Sequence, residues 1–251
     1  MKRLIVNADD YGRTAGINQG TIDAHLRGIV SSTTVMILES AAAEGIELAL
    51  RTAPRLSLGI HCVLTGGGPP ASPAGRLKTL APAGVFARNA EALPETIDPE
   101  EVRAELSAQI ERFESLAGRP PSHLDSHHHS ALHPSIQPIF AAIAAERGLP
   151  VRASSPAAAA ALRDHGLRVP DRFLDGFYAE GATVENLLAL ISDLPQGTSE
   201  LMCHPGYPDA ALLAGSTYAR ERVREVDALC DPSVRARLAD RGVDLVAFDA
   251  L

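Results

Sequence analysis

Tryptophan is absent from the 251 residues, and all aromatics together make up only 4%. A surface that stacks single-stranded nucleic acid needs aromatic rings in number, which argues against that class of partner. Cysteine is equally sparse. Cys62, Cys203 and Cys230 form an odd set that excludes a disulfide framework and reads as a reducing compartment. No run approaches the ~18–20 apolar residues that span a bilayer. The basic start Met1-Lys2-Arg3 is followed by only Leu4, Ile5 and Val6 before Asn7, too short for a secretory core. The chain therefore reads as cytoplasmic, with no membrane partner. Positive charge is also short: 23 basic residues against 31 acidic ones leave a net charge of −8, unsuited to a nucleic-acid backbone. What remains, 45% hydrophobic and 22% charged, is the balance of a globular chain. Length alone allows one large domain or two small ones; because α/β barrels run to this size as one unit, residues 1–251 are expected to form a single domain.

Short apolar segments alternate with longer amphipathic ones. Strands are expected at Lys2–Ala8, Ser57–Leu64, Ser122–Ser126, Pro150–Ala153, Ser199–Cys203 and Val243–Phe248. Helices are expected at Ile17–Arg27, Pro99–Leu116, Ile136–Arg147, Val184–Ile191 and Tyr218–Leu229, with a plain helix over the alanine run Ala157–Leu162. This alternation implies βαβ units and a mainly parallel sheet, with a barrel at least as well supported as an open sheet. Gly66-Gly67-Gly68-Pro69-Pro70 opens an irregular stretch of about twenty-five residues, a length that marks either a functional loop or disorder. A second loop runs from His204 to Thr217.

Histidine is concentrated. His123, His127, His128, His129 and His133 fall within one short window together with Asp125, a metal-ligand composition at an expected strand end. A solvated histidine-rich turn is the bland alternative. Asn7-Ala8-Asp9-Asp10-Tyr11-Gly12 closes the first strand, where α/β folds bind ligands. One of the acids can cap the next helix, but the helix begins near Thr14 to Asn18, so a cap does not explain both. Strand alternation sends Asp9 and Asp10 to opposite faces, which suits different roles better than a facing glycosidase pair. His61 and His204 each close a further strand; alone, either reads as an ordinary hydrogen-bonded core histidine. Alternation turns their neighbours Cys62 and Cys203 into the packing, so neither is a candidate nucleophile. No Gly-x-Ser-x-Gly elbow and no phosphate loop occur.

Taken together, Asn7–Gly12, Gly59-Ile60-His61-Cys62-Val63-Leu64-Thr65, His123–His129 and Cys203-His204-Pro205-Gly206 resemble the YdjC-like carbohydrate deacetylases, which include the chitooligosaccharide deacetylases. The resemblance spans nearly the whole chain. It implies an α/β fold, a distorted (β/α) barrel related to polysaccharide deacetylases. It also implies one divalent metal ion, Mg2+ or Zn2+, on Asp10, His61 and His127, with His128 the nearest substitute for the last. Asp9 matches the family's general base and His204 its general acid. The implied substrate is a small N-acetylated sugar, and the implied assembly a homodimer. Tyr11 stands where the family often has Phe, and Ser130-Ala131-Leu132 where a Val-His pair is common.

Two rival functions stay open. A metal-dependent phosphoesterase uses similar sites but calls for more cations than Arg13 and Arg152, the two near the expected strand ends. A non-enzymatic metal- or sugar-binding module has no need of Asp9 or His204.

Overall fold

Seven strands, all paired in parallel, alternate with nine α-helices along residues 1–251, which the computed structural model describes in full. In chain order they are β1 (Lys2–Tyr11), α1 (Ala15–Leu26), β2 (Ser32–Val35), α2 (Ala42–Thr52), β3 (Ser57–Cys62), α3 (Pro99–Ala117), β4 (Leu124–Ser126), α4 (Gln137–Arg147), α5 (Pro156–Asp164), β5 (Arg172–Leu174), α6 (Val184–Ser192), β6 (Gly197–Cys203), α7 (Ala210–Gly215), α8 (Arg222–Leu229), α9 (Pro232–Asp240) and β7 (Val243–Val246). The sheet order is β4-β3-β2-β1-β6-β5. β1 is its hub. Lys2–Ala8 pairs with β6, while on the other edge β7 takes Lys2–Ile5 and β2 takes the stretch from Asn7. Beyond β4 the ring continues by single bonds: Leu124 N donates to Pro150 O, Arg152 N to Leu124 O, and Val151 N to Arg168 O, each at 3.0 Å. The strand expected over Pro150–Ala153 is thus reduced to one bridge at Val151. The result is a distorted, incompletely closed α/β barrel.

The elements follow their sequences. Parallel strands covered on both faces are apolar throughout, and β1, β3 and β6 are buried along almost their whole length. α3 starts with Asp98 capping and Pro99 in the first turn, and ends where Gly118 turns left-handed (φ +67°). Five elements lie outside the expected set: β2, α2, β5, α9 and α7, the last a short helix within the loop expected from His204 to Thr217. β2 escapes a hydrophobic pattern because it reads Ser-Thr-Thr-Val yet is wholly buried. Its hydroxyls are matched inside: Thr33 Oγ1 donates to Ala8 O (2.6 Å), and Ser32 Oγ accepts from Phe248 N (3.1 Å). The helix expected at Tyr218–Leu229 begins only at Arg222. No helix is long and apolar enough to cross a membrane.

The stretch between β3 and α3 holds no element beyond a 3-10 turn at Ala90–Ala92, yet it is fastened. Glu101, Glu105 and Gln109, at helical spacing on α3, turn polar groups inward. Glu101 accepts from the backbone N–H groups of Lys78, Thr79 and Leu80, and Glu105 from those of Ala71 and Ser72. Gln109 both donates to and accepts from Val63. These bonds satisfy buried donors that a loop otherwise leaves open to water. They hold Gly66, Gly67 and Arg88 over the C-terminal ends of the strands, where they line the cleft described next.

Candidate active site

The carboxyl ends of the strands open into a cleft of about 900 Å³. Asp9 and Asp10 reach it together, contrary to the opposite faces that strand alternation predicts. Asp10 adopts φ +67°, and the β1–β2 register shifts between Ala8 and Tyr11. This bulge turns the second carboxylate back toward the first. Neither acid caps α1; Thr14 does, accepting from Ile17 N at 3.3 Å.

Asp10 Oδ1 lies 3.6 Å from His61 Nε2 and 3.4 Å from His127 Nδ1, and the two ring nitrogens are 3.3 Å apart. All three residues are buried. Three donors spaced this way match one face of a tetrahedron with bonds of ~2.1 Å to a divalent cation. Asp10 Oδ2, on the far side, accepts from Arg222 Nη2. Burial pushes the Asp10 carboxyl up, but Arg222 and His127 outweigh it and hold the group ionised well below the ordinary range. His61 is anchored from behind, its Nδ1 donating to Asp125 Oδ1 at 2.6 Å, the carboxylate–histidine arrangement that fixes the tautomer of a metal-binding imidazole. Burial pulls the His61 ring down; Asp125, Asp9 and Asp10 carry it up to about 9, so a cation arriving there displaces a proton.

Asp9 sits differently. Arg152 grips both its oxygens at 2.6 Å, and Asn7 Nδ2 donates to Oδ1 at 3.0 Å. Arg152 also reaches Asp125 (3.0 Å) and Glu200 (2.7 Å), so one buried guanidinium serves three carboxylates. Burial disfavours the Asp9 anion, yet Arg152 overrides this and keeps it ionised. The cost of crowding three buried carboxylates falls on Glu200, which burial raises to about 7, so that it takes up a proton more readily than its neighbours, and whose Oε2 has no partner. His204 Nε2 lies 3.9 Å from Asp9 Oδ2. Burial lowers His204 to about 4, leaving it neutral at pH 7. Its backbone N–H donates to Glu225, which also accepts from the Tyr218 hydroxyl.

The other histidines of the cluster separate. His123 is buried, donates to Asn7 Oδ1 at 3.0 Å, accepts from Ser122 and stacks on Phe248 at 3.8 Å, so it orients β1 from below. His128 and His129 take positive φ (54° and 50°) and peel away; His128 packs over His127 at 3.8 Å and is exposed. Cys62 and Cys203 are buried in the packing, and burial pushes both thiols up.

Four residues of the site carry no mark at the level of motifs. Arg152 is readable only as a nearby cation, whereas it is fully engaged by acids. Asp125 stands among the histidines with no role that spacing reveals. Glu200 is one acid in a strand. Arg222 lies in the charged run Arg220-Glu221-Arg222-Val223-Arg224-Glu225, which has the look of a solvated helix face. The cations along the cleft are therefore Arg13, Arg88 and Arg222 rather than Arg13 and Arg152.

Comparison with known proteins agrees with this architecture. A family model described as YdjC-like protein matches residues 3–240. A carbohydrate deacetylase of Geobacillus stearothermophilus is 40% identical over 245 residues, covering 97% of this chain and 96% of the relative. A chitooligosaccharide deacetylase of Serratia marcescens is 39% identical over 257 residues, covering 100% and 99%. A crystal structure from Enterococcus faecalis V583, provisionally described as a cellobiose-phosphate cleavage protein, superposes with a TM-score of 0.92 at 34% identity, covering 99% and 98%. A family 4 carbohydrate esterase from Streptomyces lividans shares the fold at a TM-score of 0.53 and 12% identity, covering 97% of this chain and 91% of that one. With the family model matching residues 3–240 and relatives aligned over nearly their whole length, the chain belongs to the YdjC-like family.

Proposed function

We propose that residues 1–251 act as one catalytic unit, a hydrolase that removes the acetyl group from an N-acetylated sugar or short oligosaccharide. The observation that carries this reading is the juxtaposition of the Asp10–His61–His127 triangle with Asp9 and His204, 3.9 Å apart, in one cleft. Relatives named as deacetylases at 39–40% identity support the choice of reaction.

An acetamide is a poor electrophile with a poor leaving group. Its hydrolysis needs an activated water, a polarised carbonyl and a proton for the amine. A divalent ion on Asp10, His61 and His127 would supply the Lewis acidity. Two imidazoles and one carboxylate suit Zn2+ or a similar transition ion better than Mg2+, which favours oxygen ligands. Asp9 accepts the proton of the attacking water, and it does so through Oδ2. Oδ1 takes two protein donors, whereas Oδ2 takes one and faces His204. Arg152 fixes the carboxylate plane and keeps it ionised at every working pH. The same pairing makes Asp9 a weak base, so the proton is not retained there. Neutral His204 takes it on and delivers it to the nitrogen as the C–N bond breaks, releasing acetate and the free amine. A phosphoesterase is less well supported, because Arg222 and Arg13 both lie against Asp10, which leaves Arg88 for a phosphate.

The test is acetate release from a panel of N-acetylated mono- and disaccharides, before and after chelation. Release that chelator abolishes and a divalent ion restores is the expected result. Phosphate release from phosphorylated sugars, with no acetate from any substrate, would replace this reading with the rival.

A further inference from the structure

Tyr178 is the one exposed ring among the ten phenylalanines and tyrosines, at 43% relative accessibility. It lines the cleft, and its hydroxyl bonds to no protein group. One face is used: it stacks on Tyr218 with centroids 4.2 Å apart and planes 24° from parallel. The ring also meets His204 edge to face at 5.4 Å.

The loop that carries it is built to hold it there. Phe177, its neighbour, is fully buried and anchors the segment. Asn186 of α6 donates to both Gly176 O (2.9 Å) and Gly181 O (2.8 Å), drawing the loop ends together. They approach so closely that a Cβ on Gly181 would lie 2.3 Å from Gly176 O. Ala179 sits at φ +51°, a strained conformation for a residue with a side chain, and its N–H donates to the Tyr218 hydroxyl at 3.1 Å. Strain held by surrounding bonds, next to a large apolar ring left in water, is the pattern of a preset binding surface.

We propose that the open face of Tyr178 is the platform on which the substrate's pyranose ring stacks. This rests on the deacetylase reading above. In that reading His204 protonates the leaving amine, so the sugar bearing the amine lies beside His204. Because His204 and Tyr178 meet edge to face at 5.4 Å, a sugar whose amine lies at His204 reaches the Tyr178 ring, and its axial C–H groups give it an apolar face that packs on an aromatic one. With one face covered by Tyr218, the ring can accept a sugar only from the cleft side. Tyr178 is thus a substrate-binding residue that selects ring-shaped substrates over flexible acetamides.

Two measurements test it. Kinetics on N,N′-diacetylchitobiose compare Tyr178→Ala, Tyr178→Leu and Tyr178→Phe. Tyr178→Ala raises KM roughly 2- to 10-fold, as the loss of one aromatic stacking contact requires, with kcat moved less than twofold. Phe recovers most of the loss, and Leu, which has bulk without a ring face, does not. Should the alanine variant fold poorly, the leucine–phenylalanine comparison decides alone. The second measurement is fluorescence of Tyr178→Trp, whose indole is the single tryptophan of the chain. It is titrated with the fully deacetylated disaccharide, which cannot turn over, and a saturable change is expected. Unchanged KM in the alanine and leucine variants overturns the platform while leaving the deacetylase reading intact. If instead the wild type releases no acetate from any sugar, the tryptophan titration decides: a saturable response upholds the platform, and a flat trace overturns it.

Discussion

Two buried Asp/His clusters lie side by side at the top of β1, and both bring three ligand-type side chains close together: Asp10, His61 and His127 in one, Asp9, His61 and Asp125 in the other. Composition does not distinguish them. Their existing partners do. In the second cluster Arg152 holds both oxygens of Asp9 and one of Asp125, while Asp125 Oδ1 takes the His61 proton at 2.6 Å. Arg152 thus engages both carboxylates of the cluster, and its guanidinium fills the place a cation would need. In the first cluster the cation Arg222 approaches Asp10 from outside, leaving Oδ1 and two ring nitrogens facing one another at 3.3–3.6 Å. An arginine inside a carboxylate cluster makes it an ion-pair network; an arginine behind it leaves a ligand set. His61 belongs to both, with one nitrogen turned to each.

If the two clusters divide labour in this way, substitutions on either side should fail differently. The largest effect is expected at Asp9. Asp9→Asn removes the proton acceptor while leaving the Asp10–His61–His127 donors untouched, and kcat should fall ~10²–10⁴-fold. Steady-state acetate release measures it, and near-normal turnover would reassign the base. Next comes Arg152→Met, which strands three buried carboxylates. Removing one partner of a buried ionic network costs about 3–5 kcal/mol, read as a lower denaturant midpoint at pH 7. A variant as stable as wild type would show that the network is not under charge tension. The smallest effect concerns Glu200, whose carboxyl is raised from 4.5 to about 7. A raised group stabilises the fold fully below its unfolded value, and that contribution is lost as pH climbs through the folded one. Between pH 4.5 and about 7 the wild type should therefore lose ground to Glu200→Gln by up to ~1.4 kcal/mol per pH unit. Parallel stability curves across that window would contradict the assignment of the proton to Glu200.

Much of this comparison is written in the sequence, but unevenly. β1, β3 and β6 announce themselves as apolar runs ending in Asp10, His61 and His204, because parallel strands buried on both faces must be apolar and their carboxyl ends carry the chemistry. β2 does not, since its buried Ser and Thr hydroxyls are satisfied only by tertiary partners. α2 carries an apolar repeat at Ala42, Ile46 and Ala49, weakened by Gly45. The partition of the acids is less legible still. Strand alternation separates Asp9 from Asp10, and only the positive φ at Asp10 returns both to one cleft. Arg152 and Arg222 come from chain positions 143 and 212 residues away from Asp9 and Asp10, beyond the reach of any local pattern.

The division between the clusters is tested most directly by calorimetric titration of chelator-stripped protein with Zn2+, comparing wild type, His127→Ala and Asp9→Asn. His127 belongs only to the first cluster and Asp9 only to the second. Wild type and Asp9→Asn should each bind one ion per chain with similar affinity, and His127→Ala should lose at least about a hundredfold in affinity. An ion that stays on His127→Ala with wild-type affinity, or that leaves with Asp9→Asn, would place the metal in the other cluster.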